Sequence, residues 1–438
     1  MSYDLAFIAF LGVLRAFVFK DLAEMKIYIR SLTIAFVLTS ISSAGDWPQF
    51  RGPTGDGVSA ASNVPVEWSA EKNVAWKTAI PGKGWSSPIL SGDRLYVTTA
   101  THDADSGDLS LRALCLDAAN GQIIWNVEVF RPKPEAARQV HTKNSRASST
   151  PVIADGRLYV HFGHMGTAAL DLDGNIVWQQ QSITYPPVHG NGGSPVVAGD
   201  VLVFSCDAAA DPFVAALDRN DGQVRWKTPR NTHAGKKFSF STPLVIEVDG
   251  RQQIISAGSG FVGAYDPQDG REIWRVRYGE GYSVVPRPVF AHDTIFVSSG
   301  FNRPRILAID PKGAERDATE SHVLWTHERG SPLTPSMIVV GDELYMVTDN
   351  GVATCLDIRT RRPHWTERLA GDFSASPIWA EGRVYFLNEE GTAYVVKADK
   401  EYELLVTNEL GERSLASPAV GDGALYLRTE SHLWRIGK

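Results

Sequence analysis

A few short stretches of this sequence carry side chains from which a binding site could be built. They are Trp85, His141-Thr142-Lys143-Asn144-Ser145-Arg146, His189-Gly190-Asn191, Lys236-Lys237-Phe238-Ser239, Tyr282 to Arg287, and Arg413. Guanidinium, ammonium and amide donors in turn-rich segments suit an anionic or polyhydroxylated ligand, and an indole offers a flat face to a planar ring. Trp85, Asn144, Arg146, His189, Asn191, Lys237 and Arg287 are therefore the candidate ligand-binding residues. Each also has an ordinary structural use, since Asn and Ser close turns and lysines solvate loops. Trp85 could equally plug a channel.

No catalytic or metal set stands beside them. Gly258-Ser259-Gly260-Phe261-Val262-Gly263 fits G-x-G-x-x-G but falls in a hairpin with no helix after it, so dinucleotide binding is not expected. His161 and His164 are three apart, which in a strand sends them to opposite faces, and no third ligand is in view. Ser69-Ala70-Glu71-Lys72 matches S-x-x-K without the companion motifs of acyl-transfer enzymes.

These stretches are spaced by a repeat. A Ser/Thr-Pro pair, a Gly or Asp turn and an aromatic-aliphatic strand are followed by a small residue two places before Asp, then Gly, then Trp. Ala216-Leu217-Asp218 through Gly222 to Trp226 and Ala264-Tyr265-Asp266 through Gly270 to Trp274 are two copies, and Ala169-Leu170-Asp171 through Gly174 to Trp178 is a third. A period of about 40 to 50 residues indicates an array or a propeller.

Pro88, Pro151, Pro195, Pro243, Pro288, Pro377 and Pro418 each open a unit, and Ser336-Met337 supplies the remaining one with Met337 where proline is expected. Each of the eight units reads as four strands. The fourth bears Trp125, Trp178, Trp226, Trp274, Trp325 or Trp365, and the seventh unit has an aliphatic run near Leu404 instead. The eighth unit ends after Leu433-Trp434-Arg435-Ile436, while Asn73-Val74-Ala75-Trp76-Lys77 is a fourth-strand sequence ahead of the first unit. Joining the two closes a ring and removes an exposed edge. The expected fold is an all-β, eight-bladed β-propeller of four-stranded antiparallel blades.

The repeat resembles the tryptophan-docking motif of the pyrroloquinoline quinone (PQQ) dehydrogenases and of BamB-type outer-membrane assembly proteins, and it is most similar to exported PQQ-like members of unassigned role. Asp46-Trp47-Pro48-Gln49-Phe50-Arg51-Gly52 through Asn73-Val74-Ala75-Trp76 is similar to the family's lead-in to the first blade, so the resemblance covers nearly all of 45–438. It implies that Trp125, Trp178, Trp226 and Trp274 pack between neighbouring blades, against the small residue and the Gly of the motif. A WD40 propeller is disfavoured, because Trp-Asp and Gly-His pairs do not recur.

The 438-residue chain has 43% hydrophobic and 21% charged residues, with 39 Gly and 24 Pro, an ordinary globular composition with the turns that the repeat-bearing body requires. Ahead of it, Lys26 and Arg30, an apolar Leu32–Leu38 and Ser42-Ser43-Ala44 read as an export signal, with translation starting at Met25 and cleavage after Ala44. Residues 1–24 read as an upstream segment; an uncleaved anchor is the alternative. The remainder, 45–438, is a single propeller, net acidic, which argues against nucleic-acid binding. It has no integral membrane domain and is expected to be a monomer in the periplasm or outside the cell. Cys115 and Cys355 fill the small-residue slot of separate repeats and should not be joined, and Cys206 has no partner in view.

Loops between a fourth strand and the next blade lie on one face, around the channel mouth. Only 12 residues separate Trp76 from Pro88 and Trp365 from Pro377, but 26 separate Trp125 from Pro151 and 17 separate both Trp178 from Pro195 and Trp226 from Pro243. With the 14-residue crossing from Trp274 to Pro288, these enlarged loops carry every candidate except Trp85, which stands in the short loop before Pro88. The expectation is an exported, non-catalytic propeller that binds a protein partner or an anionic or glycan ligand at its mouth. The alternative that the resemblance implies is a PQQ-dependent alcohol or sugar dehydrogenase, with PQQ and calcium as cofactors and Asp372 or Glu280 as the nearest acids. Against it, the adjacent Cys-Cys pair of many such enzymes is absent from the sequence.

Overall fold

The computed structural model describes residues 45–103, 106–133 and 140–437; the start at Met25, the export signal and the cleavage after Ala44 lie outside the described residues. Eight sheets of four or five strands follow one another along the chain as the blades of a propeller. Blade 1 consists of Ile89–Ser91, Arg94–His102, Leu109–Asp117 and Ile123–Phe130 in sequential antiparallel order. The same meander recurs to blade 8, whose strands are Ala419–Gly421, Ala424–Arg428 and His432–Ile436. Among the described residues, no helix is long and apolar enough to cross a membrane.

The ring closes where the sequence requires it. Val74–Ala79 lies antiparallel to His432–Ile436, from Val74 opposite Ile436 to Ala79 opposite His432, and is the fourth strand of blade 8. Leu404–Glu409 serves as the fourth strand of blade 7 without a tryptophan.

Tryptophans join the blades at the periphery. The indole N–H groups of Trp76, Trp125, Trp178, Trp226 and Trp365 donate to the carbonyls of Ala118, Leu172, Arg219, Pro267 and Asp399 in the next blade, each at 3.0 Å. The first four acceptors stand in the turn after the motif's Asp, where a glycine lets the indole approach; Asp399 stands in a turn without glycine, and there Tyr402 packs on Trp365. A Cβ on Gly222 would lie 2.5 Å from the Trp178 ring, and on Gly270 it would lie 2.4 Å from the Trp226 ring. Both glycines also have positive φ, a conformation that excludes most side chains.

Trp274 departs from this pattern. It is completely buried and donates to Gln253 Oε1 of its own blade, at 3.0 Å. Arg316–Asp317 adds a fifth, parallel strand beside Glu272–Arg277, with Arg316 opposite Trp274. This extra strand, placed ahead of the last strand of blade 5, covers Trp274. Gly313, in the turn where the ring would have docked, would have nothing within 4 Å of an added Cβ.

A second set of links runs around the axis, made by the residues before the prolines. The N–H of Ser87 donates to Thr150 Oγ1 at 3.0 Å, that of Thr150 to Ser194 Oγ at 2.9 Å, and that of Ser194 to Thr242 Oγ1 at 3.0 Å. Across the ring Arg287 N–H donates to Ser336 Oγ, Ser336 to Ser376, Ser376 to Ser417, and Ser417 back to Ser87, at 2.8–3.1 Å. One link is missing, between Thr242 and Arg287, because blade 5 has arginine where the other blades have a hydroxyl. These side chains have a structural duty that explains the Ser/Thr-Pro signal, since each satisfies a buried N–H of the preceding blade.

Residues 46–59 run along the opposite end of the channel as a strap. Trp47 exchanges two 2.9 Å backbone hydrogen bonds with Leu90 of blade 1, Ile153 N–H of blade 2 donates to Pro48 O, and Val58–Ser59 pairs in parallel with Ile378–Ala380 of blade 7. Two buried arginines fasten it. Arg287 Nη1 donates to Phe50 O at 2.6 Å, and Arg51 Nη2 donates to Met337 O at 2.6 Å. Burial, with Arg51 close by, pushes the Arg287 guanidinium down to about 9.

Candidate functional site

The strap leaves the channel open at the loop face, where a cavity of about 410 Å³ is sunk into the axis. Such a volume is in the range of small-molecule pockets. Its base is Phe50 of the strap, its lower wall the hydroxyl ring, and its rim the loops between blades.

The rim is aromatic along one half. His141, His189, Phe238, Tyr282 and Phe301 follow one another from successive loops and blade 5, with ring centroids 5.3, 5.3, 5.6 and 6.2 Å apart. His141, His189 and Phe301 are exposed. Burial, then the proximity of His141 and Lys236, holds the His189 imidazole below its ordinary range. The Lys236 ammonium lies 4.5 Å over the Tyr282 ring and 3.1 Å from its hydroxyl.

The other half is charged and internally satisfied. Lys143, from the loop after blade 1, reaches Glu389 of blade 7 at 2.7 Å, and Arg413 stands 3.9 Å from the same carboxylate and 5.7 Å over the Trp85 ring. Ser374 Oγ donates to Glu389 Oε1 at 2.6 Å. Asp349 accepts from Thr334 Oγ1 and from the N–H groups of Leu333 and Thr334. Burial nevertheless raises its carboxyl above the usual range.

The residues singled out in the sequence divide between these surroundings. Trp85, Asn144 and His189 line the cavity. The last two are joined, because Asn144 Nδ2 donates to His189 O at 2.9 Å. Asn191 sits behind the wall, donating to Ser149 Oγ at 2.6 Å and accepting from Tyr185 OH at 3.0 Å. Arg146 lines a neighbouring cleft with Lys83, His102 and Arg413. Lys237 is half-buried outside the cavity, and its neighbour Lys236 takes the place at the rim. Arg287 is 2% exposed and points to the strap, so its guanidinium does not reach the mouth. Of the two channel acids, Glu280 is exposed and accepts from Gly235 N–H at 3.4 Å, and Asp372 is exposed on the loop before blade 7.

Sequence reasoning missed the aromatic arc and the hydroxyl ring's part in the cavity. Phe238 and Tyr282 were in view as members of cationic loops, and the recurrence of one aromatic per inter-blade loop was the signal that could have found them. Calcium and PQQ would require carboxylate and amide oxygens free to converge. Glu389 and Asp349 are already committed, and among the described residues no group of three or more His, Cys, Asp and Glu side chains could hold a metal ion. The donor set does not fit that cofactor.

Comparison with known proteins follows the architecture. The profile of one family, described as outer membrane protein assembly factor BamB, matches residues 106–316 and 314–436. The outer membrane protein assembly factor BamB of Yersinia pestis is 24% identical over 360 residues, covering 79% of this chain and 76% of that protein. A quinohemoprotein alcohol dehydrogenase of Pseudomonas putida is 30% identical over 141 residues, 29% of this chain and 19% of its own length. Among solved structures, BamB from Moraxella catarrhalis superposes with a TM-score of 0.58 at 14% identity, over 82% of this chain and 96% of that one. At these identities the solved structures speak for the fold alone.

Proposed function

This chain belongs to the outer membrane protein assembly factor BamB family, and from that premise we propose that it is an exported, non-catalytic propeller that holds a protein partner in envelope assembly. The loop face is the binding face. The observation that carries this reading is the rim: an arc of partly exposed aromatic rings displayed on loops of a closed, rigid scaffold. Aromatic side chains with few rotatable bonds dominate the energetics of protein interfaces. The acids closest to the channel, Glu389 and Asp349, are held by lysine, hydroxyl and backbone donors and are not poised as general bases.

Photo-crosslinking in the native host tests this. A photoreactive residue at Phe301 should trap a defined envelope protein, and the same residue at Lys312, on another loop of blade 5, should not. Absence of any rim-specific adduct would overturn the reading.

The donor-rich cavity favours a second occupant of the same face, an anionic or glycan ligand. A PQQ-dependent dehydrogenase finds support in the partial similarity to the Pseudomonas putida enzyme, but the donor set of the cavity does not fit calcium and the cofactor. Calorimetric titration with PQQ in calcium, followed by a dye-coupled assay with alcohols and sugars, should give neither heat nor turnover.

A further inference from the structure

The hydroxyl ring is only half used. Ser87, Thr150, Ser194, Thr242, Ser336 and Ser417 each accept an N–H from the preceding blade, yet among the described residues no group accepts their O–H. All six are buried and line the cavity. Each hydroxyl still has its proton to donate, and all but Ser336, which also accepts from Ser376 Oγ at 3.0 Å, keep a further lone pair. The ring therefore presents donors and acceptors at nearly every blade position around the cavity's circumference.

The ring also has a polar gap. At Thr242 the next blade supplies Arg287, whose side chain turns down to the strap, so the Thr242 N–H points to where a hydroxyl would otherwise stand. Among the described residues nothing accepts it. Lys236 overlooks the same side of the cavity and, among the described residues, has no carboxylate within ion-pairing distance; Lys143 and Arg413 share Glu389 on the other side.

We infer that this cavity is a site for a carboxylated sugar, with the carboxylate seated at the gap beside Thr242 and the pyranose rings under the aromatic arc. The inference rests on the loop face being the binding face. A monoanion matches one ammonium with neutral O–H and N–H donors. A phosphate would bring a second charge toward Asp349 and Glu389, which stand behind the lining residues Thr334, Ser374 and Lys143 on the far side. A planar aromatic acid would press apolar faces against the hydroxyls and leave them desolvated without partners, which is costly. Sugar hydroxyls satisfy them in both senses, and sugar C–H faces suit Phe238 and Tyr282.

The test is calorimetric titration of the purified protein with galacturonate and with galacturonate linked to one neutral galactose, each carrying a single carboxylate, beside galactose, galactose 6-phosphate and PQQ. The singly charged disaccharide should bind saturably, and the neutral and phosphorylated sugars at least about tenfold more weakly, as the loss or mismatch of a charge-assisted contact implies. Lys236→Gln and Phe238→Ala lie at the rim, and each should weaken the disaccharide by about tenfold; the Lys236 side chain is exposed, so Lys236→Gln should leave Tm unmoved. Line broadening of the ligand's own NMR signals provides a second readout on the same variants. Equal affinity for neutral sugar, tighter binding of the phosphate or of PQQ, or no saturable binding of either uronate would overturn the inference. Rim crosslinks to a protein that persist with an uronate-blind cavity would sink this inference alone and leave the protein-binding reading standing.

Discussion

At the scale of single residues, the periphery depends on glycines that admit an indole. Gly222→Ala would place a methyl group 2.5 Å from Trp178 in a left-handed backbone, whereas Gly156→Ala has the same backbone cost but nothing within 4 Å. Chemical denaturation should show a loss of about 1 kcal/mol for Gly156→Ala. The loss for Gly222→Ala should be about 2–4 kcal/mol, since overpacking adds to the backbone penalty. Equal losses would mean that the indole yields and the blade contact is loose. Individual side chains at the site were less legible than these glycines. Arg287 stands in a loop that does face the mouth, but the residue before a proline in this fold sits in the wall, and only the tertiary path of the strap reveals where its guanidinium goes. Lys236 and Lys237 are adjacent in irregular backbone with no period to say which one faces the cavity.

At the scale of elements, the closing strand is the decisive piece. Deleting Asn73–Thr78 should abolish the cooperative melting transition, because it uncovers the edge of His432–Ile436. A truncation that melts as sharply as the intact chain would refute ring closure as the source of cooperativity. Glu412 supports the same junction, accepting from Ser431 N–H at 2.7 Å and pairing with His432 at 2.8 Å. Burial alone would raise its carboxyl, but the hydrogen bonds from Ser431, Thr429 and His432 outweigh it and hold the group below its ordinary value. A depressed carboxyl stabilises the fold above its unfolded pKa of about 4.3 and ceases to do so as pH falls through the folded value. Glu412→Gln should therefore lower the denaturation midpoint at pH 7, and the difference should vanish toward pH about 3. The strands were legible because the repeat fixes turn, strand and tryptophan together, and even Met337 in the proline position was correctly placed by register. The strap was not legible as such. Its contacts are with residues such as Met337 and Trp379, nearly three hundred or more positions away, and no local pattern encodes them.

At the scale of the whole molecule, the eight blades hold together without covalent links. Cys115, Cys206 and Cys355 are buried and unpaired, and burial pushes the Cys115 and Cys355 thiols up to about 12. Thiol reagents should leave the native protein unmodified and react only after unfolding, and reductant should not shift Tm. A Tm that falls in reductant would require a disulfide that the described residues do not contain. The strap and the closing strand also impose an order in time. Residues 46–59 and 74–79 leave the ribosome before any blade exists, yet their partners include blades 6 and 7 for the one and blade 8 for the other. The earliest segments to be made are thus among the last to find their places. Until blade 8 has been made, the growing array is a row of blades with two raw ends, and a chain cut short before His432–Ile436 has no means of becoming a ring. Synthesis of the eighth blade is in this way written into the fold as a condition of stability, so that quality control has a plain feature to read: an open ring is a chain without its eighth blade.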